Sequence, residues 1–234
     1  MTQEHGIAKG DALQKIGSVG LILGFLLVTI GGVWPLSVDF GDIQTGQRIF
    51  GEHAVLLQAC ALLVAFGCWA AMIGMAGIHR SIVESGNAWA RLGFTFLVMG
   101  MTLWTLGMSL DISYPAALLN LQAAPDAGKE AARNVVAMLS PAGLGRGLFP
   151  LEVIVIWMAY AFMGIGMIQS GFYPRWLGWA GVALGIVGVP LGIVQTFTGR
   201  EPSLNIFTML IVVTTFWFLA VGIWVARKAW KRAG

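Results

Sequence analysis

"FPLEVIVIWMAYAFMGIGMIQSG", residues 149–171, holds a single acidic or basic side chain, Glu152, in a run that is otherwise mainly apolar or small. A helix needs roughly 20 mainly apolar residues to cross the hydrocarbon core of a bilayer, and this run supplies them. Its apolar residues are continuous rather than alternating, which excludes the strand of a membrane β-barrel. Five more stretches read the same way: about 16–35, 54–78, 92–111, 176–197 and 204–226. Hydrophobic residues make up 57% of the chain, charged residues 11%, and the mean hydropathy is +0.79. That is too apolar for a soluble domain of this length. The sequence therefore predicts an all-α polytopic integral membrane protein, residues 1–234 forming a single transmembrane domain of six helices. The polar "MTQEHGIAKGDALQK" leads into an apolar run too long for the core of a cleaved signal, so the first span is expected to be retained.

Six spans put both termini on one side, and basic residues decide which. The termini and the connections between spans 2 and 3 and spans 4 and 5 carry Lys9, Lys15, Arg80, Arg91, Arg175, Arg227, Lys228, Lys231 and Arg232, against the acids Glu4, Asp11 and Glu84. The opposite face carries Arg48, Lys129, Arg133, Arg146 and Arg200 against Asp39, Asp42, Glu52, Asp111, Asp126, Glu130, Glu152 and Glu201. Both termini are expected in the cytoplasm. The net charge of +3 is then the difference between a basic inner rim and an acidic outer one, with no bearing on nucleic acid. Trp34, Trp176, Trp224 and Trp230 fall near span ends, where an interfacial aromatic belt sits.

Glycines recur at steps of three and four: Gly17, Gly20, Gly24 in the first span and Gly178, Gly181, Gly185, continued by Gly188, in the fifth. Such steps line one side of a helix. Lipid supplies no hydrophobic force between helices, so association rests on close backbone approach and interhelical hydrogen bonds. The third span has a relative of the pattern in Gly93, Gly100 and Gly107. Each odd span also starts just after a basic residue, Lys15, Arg91 or Arg175. We read three αα-hairpins, spans 1–2, 3–4 and 5–6, either descended from one unit or held to one packing rule. The stretch "YPRWLGWAGVALGIVGV", residues 173–189, resembles uncharacterised bacterial six-helix integral membrane proteins in which a Pro-Arg-Trp-Leu-Gly-Trp turn opens the fifth helix. The resemblance implies the fold and brings no catalytic residue or cofactor; the bacterial inner membrane is the expected location.

The longest connection, 112–148, contains "GKEAARNVVAMLS", which places Ala132, Val135, Val136 and Leu139 on one side of a short amphipathic helix. It is expected to lie on the outer leaflet or to close over the bundle mouth, the first slightly favoured. "SPAGLGRGLFP" beside it, with Gly143, Gly145 and Gly147 between Pro141 and Pro150, reads as a hinge. Ionisable residues at membrane depth are functional suspects. Asp111 is expected to close the third span, where the helix dipole opposes its charge, and Glu152 to sit in the first turn of the fourth, where the dipole favours it. His53 follows Glu52 at the start of the second span. Asp111, Glu152 and His53 are candidate catalytic groups; Glu52, Tyr114 and Arg146 are candidate ligand-binding groups on the same face. Together they suit a divalent metal, a cationic ligand, or an acid–base pair, with no motif-grade spacing to choose among them.

Other chemistry is excluded or unmarked. His79 lies about 39 Å from His53 along one helix, so no haem spans the pair. Cys60 and Cys68 are about 12 Å apart on their helix, too far for a disulfide, and read as small hydrophobes. Walker, zincin, nucleophile-elbow and C-x-x-C signatures are missing. The methionines, among them Met72, Met75, Met99, Met101, Met163 and Met167, read as core filling rather than soft-metal ligands. Three functions follow in order: an outward-facing ligand or catalytic pocket between spans 2, 3 and 4; an accessory or scaffold subunit, as a homo-oligomer or with other membrane subunits; and a small transporter, for which only "GVPLG" at 188–192 looks breakable.

Overall fold

The computed structural model describes residues 12–37, 43–82, 87–140, 143–199 and 204–231. Glu4, Lys9, Asp11, Asp39, Asp42, Glu84, Pro141, Arg200, Glu201 and Arg232 lie outside that set, as do the side chains of Trp34 and Lys231. The described chain is helical: α1 (Ala12–Ser37), α2 (Ile43–Glu52), α3 (Ala54–Ser81), α4 (Asn87–Ala123), α5 (Lys129–Leu139), α6 (Gly145–Ser170), α7 (Arg175–Thr198) and α8 (Leu204–Lys231). Six of these, all but α2 and α5, are long and apolar enough to cross a membrane. The chain is an all-α polytopic membrane protein.

The glycine stripes sit where helices touch. On α1, a Cβ on Gly17 would meet the Gly77 Cα at 2.8 Å, one on Gly20 the Ala70 carbonyl oxygen at 2.6 Å, and one on Gly24 the Gly67 carbonyl oxygen at 2.9 Å. The α3 glycines Gly67, Gly74 and Gly77 thus answer those of α1, a partner stripe that the sequence reading did not single out. On α4, Gly93 faces Met163 and Ala159 of α6, and Gly100 faces Ile156. On α7, Gly178 and Gly181 straddle Gly164 of α6, and Gly185 lies on the Trp157 carbonyl and Ala161. Backbone rests on backbone at each site, where dispersion and weak polar contacts replace the hydrophobic force that lipid removes.

Spans 1–2 and 3–4 close as extensive hairpins, α1 on α3 and α4 on α6. The last pair differs: α7 packs chiefly on α6 and α8 chiefly on α1, with only a slight contact between α7 and α8. Large aromatics explain the spacing. Phe207, Trp217 and Phe218 of α8 reach Trp157 and Tyr160 of α6 at centroid distances of 5.6–6.0 Å, filling the centre with rings instead of glycines. Two indoles fasten α8 to the first turn of α7 and to the α6–α7 turn, Trp217 Nε1 donating to the Leu177 carbonyl at 2.9 Å and Trp224 Nε1 to that of Phe172 at 3.2 Å. The turn opens with Gly171 at φ 64°, a left-handed helix stop. Its Tyr173 is buried and hydrogen-bonds Ser81 of α3, while Trp176 and Trp179 point outward. Pro190 lies inside an unbroken α7.

The largest departure from the sequence reading is α4. Expected to end at Asp111, it continues for another twelve residues with Pro115 inside it. Proline removes only the bond to the carbonyl four residues back, that of Asp111. Beside it, Gln58 Nε2 of α3 donates to the Ile112 carbonyl at 2.9 Å. At 37 residues α4 is about 55 Å long, well beyond the roughly 30 Å hydrocarbon core of a bilayer, so part of the helix has to stand clear of it. There water restores the hydrophobic force, and Tyr114, Ala117 and Leu118 of α4 bury against Phe50 of α2 and Val136 and Leu139 of α5. Each large buried side chain contributes about 1.5–3 kcal/mol. The connection written above as 112–148 is therefore mostly helix, and α5 turns Lys129, Ala132, Val136 and Leu139 inward while Val135 stays exposed. The helix α2, also docked on α4, was not anticipated.

Candidate functional site

The α4–α6 hairpin positions the site. Antiparallel packing sets Gly93 against Met163, Gly100 against Ile156 and Gly107 against Glu152. The last of these contacts differs in kind. Where a Cβ on Gly107 would stand, the Glu152 Oε2 lies only 2.8 Å away, so the carboxylate has room because residue 107 has no side chain. Along the same face of α4, steps of three and four residues bring Trp104, Met108 and Asp111 beside Gly107.

These residues surround a cavity of about 100 Å³ at the end of the bundle that carries α2 and α5. Its walls come from α4 (Trp104, Gly107, Met108, Leu110, Asp111, Tyr114), α6 (Gly145, Leu148, Phe149, Glu152), α2 (Phe50), α5 (Leu139) and α8 (Phe207). By a measure in which one water needs about 10–15 Å³, this space holds several waters or a small organic group. Compared with the expected pocket between spans 2, 3 and 4, the second span is absent from the lining, and α8 and the two short helices take its place.

Of the six candidate residues, the cavity brings together three. Glu152 is 3% exposed and Tyr114 7%, while Asp111 is exposed at the mouth. Tyr114 packs edge-on against Phe50 at 5.4 Å and shares a hydrogen bond with Gln47, both of α2. Glu52, His53 and Arg146 are exposed and outside the lining. Glu52 pairs with Arg48 one turn away at 3.7 Å, a half-exposed surface pair of small energetic weight. His53 marks the joint between α2 and α3. Among the described residues, no three His, Cys, Asp or Glu side chains gather at metal-binding spacing.

Neither acid stands at the helix end expected from the sequence. Asp111 lies inside α4 rather than at its C-terminus, and Glu152 is the eighth residue of α6, since that helix begins at Gly145 and runs through Pro150. Helix-end effects fade within one turn, so the dipole neither opposes the first charge nor offsets the second. Glu152 is left as a buried carboxyl in the membrane-spanning part of a helix, an expensive placement. The aromatic wall escaped sequence reasoning. Phe207 stacks near-parallel to Trp104 at 6.3 Å and meets Phe149 edge-on at 4.8 Å, contacts among three helices that no single-helix periodicity reveals. Gly107 was visible as the seven-residue continuation from Gly100, though not as the cradle of a carboxylate.

No family model matches the chain, and no curated protein or solved structure resembles it significantly. The site must be read from its own geometry.

Proposed function

We propose that this chain is a ligand-binding protein of the bacterial inner membrane, with both termini in the cytoplasm and the cavity opening on the opposite face. The basic residues beside the termini support the orientation through the positive-inside rule. One observation carries the binding reading: a 3%-exposed carboxyl, Glu152, lines a cavity instead of being filled around. Unfilled space lowers stability, and an ionisable residue at membrane depth is a functional suspect, so the two together point to a bound group. Apolar pockets with a few convergent polar groups are the usual form of small-molecule sites. The placement also suits a ligand arriving from the membrane surface. Gly107 lies one turn below Asp111, so Glu152 sits about 6 Å deeper in the bundle than the acid at the mouth.

Native mass spectrometry of the protein extracted from its own membrane in mild detergent tests the reading. The expected spectrum shows the 25.0 kDa chain, or a multiple of it, with a discrete small-molecule adduct that disappears in Leu148→Trp, a variant that fills the cavity from its wall. A mass explained by other polypeptides, with no adduct on this chain, would replace the proposal with the accessory-subunit reading.

A further inference from the structure

The chemistry of the cavity wall selects among ligands, and the selection rests on the binding reading above. Two carboxyl groups line the space, Glu152 at depth and Asp111 at the mouth; among the described residues, the lining has no Lys, Arg or His. An anion entering it would meet two acidic side chains and no basic one, an unfavourable pairing wherever either acid is ionised. A neutral apolar group would strip water from the region of Glu152 and offer nothing in return. A cation reverses both terms.

The kind of cation follows from the rest of the wall. Metal ions need several oxygen, nitrogen or sulfur ligands, and the described residues bring no three such acids, histidines or cysteines together. Phe50, Trp104, Tyr114, Phe149 and Phe207 supply rings instead. Aromatic rings bind weakly hydrated alkylammonium groups through their quadrupoles, most strongly where water is excluded. The rings are held by one another, Phe207 lying between Trp104 and Phe149, so little ordering remains to be done on binding. A space of about 100 Å³ admits a head group the size of trimethylammonium. We propose that the cavity binds the alkylammonium group of a small organic cation, with Glu152 as its counter-ion and the rings around Phe207 covering its methyl groups.

Three isosteres separate charge from shape: choline, its uncharged carbon analogue 3,3-dimethylbutan-1-ol, and the anion 3,3-dimethylbutanoate. Each is titrated calorimetrically into the full chain in lipid nanodiscs, with empty nanodiscs as reference. Choline should bind at least about tenfold more tightly than the alcohol, and the anion should give no heat. Glu152→Gln should bring choline down to the affinity of the alcohol while leaving the alcohol unchanged. Should that variant fail to fold, Asp111→Asn at the exposed mouth serves instead, with an expected loss for choline of about two- to threefold. An alcohol that binds as well as choline would overturn the cation assignment and leave the cavity standing as a neutral site. A choline preference surviving in Glu152→Gln would overturn the counter-ion. Silence from all three ligands would remove the binding reading together with this one.

Discussion

At the scale of single residues, Glu152 and Tyr173 are buried polar groups in unlike settings. Glu152 lies beside open space, and Tyr173 is enclosed by its partners. If Glu152 is kept for binding, removing it should stabilise the fold, as commonly happens when a functional residue gives way to a structural one. Glu152→Met is therefore expected to raise the melting temperature by a few degrees, about 1 kcal/mol in a bundle of this size, while abolishing ligand retention. A fall in melting temperature measured by differential scanning fluorimetry would mark the acid as structural. Tyr173 sits in the α6–α7 turn, outside the spans, and burial raises its phenol pKa above the ordinary value of 10.0. A group whose folded pKa is raised contributes stability below its unfolded pKa and loses it as pH climbs toward the folded one. Melting temperature should thus decline from about pH 10 upward, and Tyr173→Phe, which cannot ionise, should flatten that decline while costing about 1 kcal/mol at neutral pH through the lost bond to Ser81. An alkaline profile identical in the two proteins would assign the decline to other groups.

At the scale of elements, glycine positions act through what they touch. Gly20→Val would drive its side chain into the Ala70 carbonyl and the Gly74 backbone, neither of which can yield without moving a whole helix. Gly181→Leu would do the same against the Tyr160 carbonyl and Trp217. Both should lower stability in detergent by at least about 1–3 kcal/mol, the usual penalty of overpacking. Gly147, with nothing within 4 Å of its added Cβ, provides the control: Gly147→Ala should be neutral or slightly stabilising. Equal thermal behaviour of Gly20→Val and Gly147→Ala would refute the packing account. The same comparison shows why the stripes were legible in the sequence and the far end of α4 was not. Close backbone approach demands one residue type at fixed spacing, so Gly17, Gly20 and Gly24 advertise it. Continuation past Pro115 depends on Gln58 of another helix and on the docking of Phe50 and Val136, none of which is encoded locally. From sequence, proline and the polar "DISYP" simply read as an ending. The site was legible to the same degree: Asp111, Tyr114 and Glu152 share a face by topology, whereas the rings of Phe207 and Trp104 meet only through an α8 that packs away from its chain neighbour.

At the scale of the whole molecule, the two ends of the bundle are chemically unlike. One gathers the start of α1, the end of α8, the α6–α7 turn and the stacked His79–Phe94 pair; the other carries the cavity and the two amphipathic helices, α2 and α5, on the protruding part of α4. If the cavity collects a ligand from outside the cell, the basic end must face inward, and the chain contains a convenient background for asking. Its native thiols, Cys60 and Cys68, are 6% and 7% exposed and lie within a span, so a membrane-impermeant maleimide should leave them unmodified. Asn134 is exposed on α5 and Arg227 is exposed near the other end, so Asn134→Cys and Arg227→Cys report the two faces separately. Intact cells, with the outer membrane permeabilised where there is one, should label Asn134→Cys and spare Arg227→Cys until the inner membrane is opened by detergent. The opposite pattern would invert the orientation drawn from nine basic residues against five. The cavity would then face the cytoplasm, its ligand would have to be an intracellular cation, and the basic rim would meet the outer leaflet, an arrangement that the positive-inside rule disfavours.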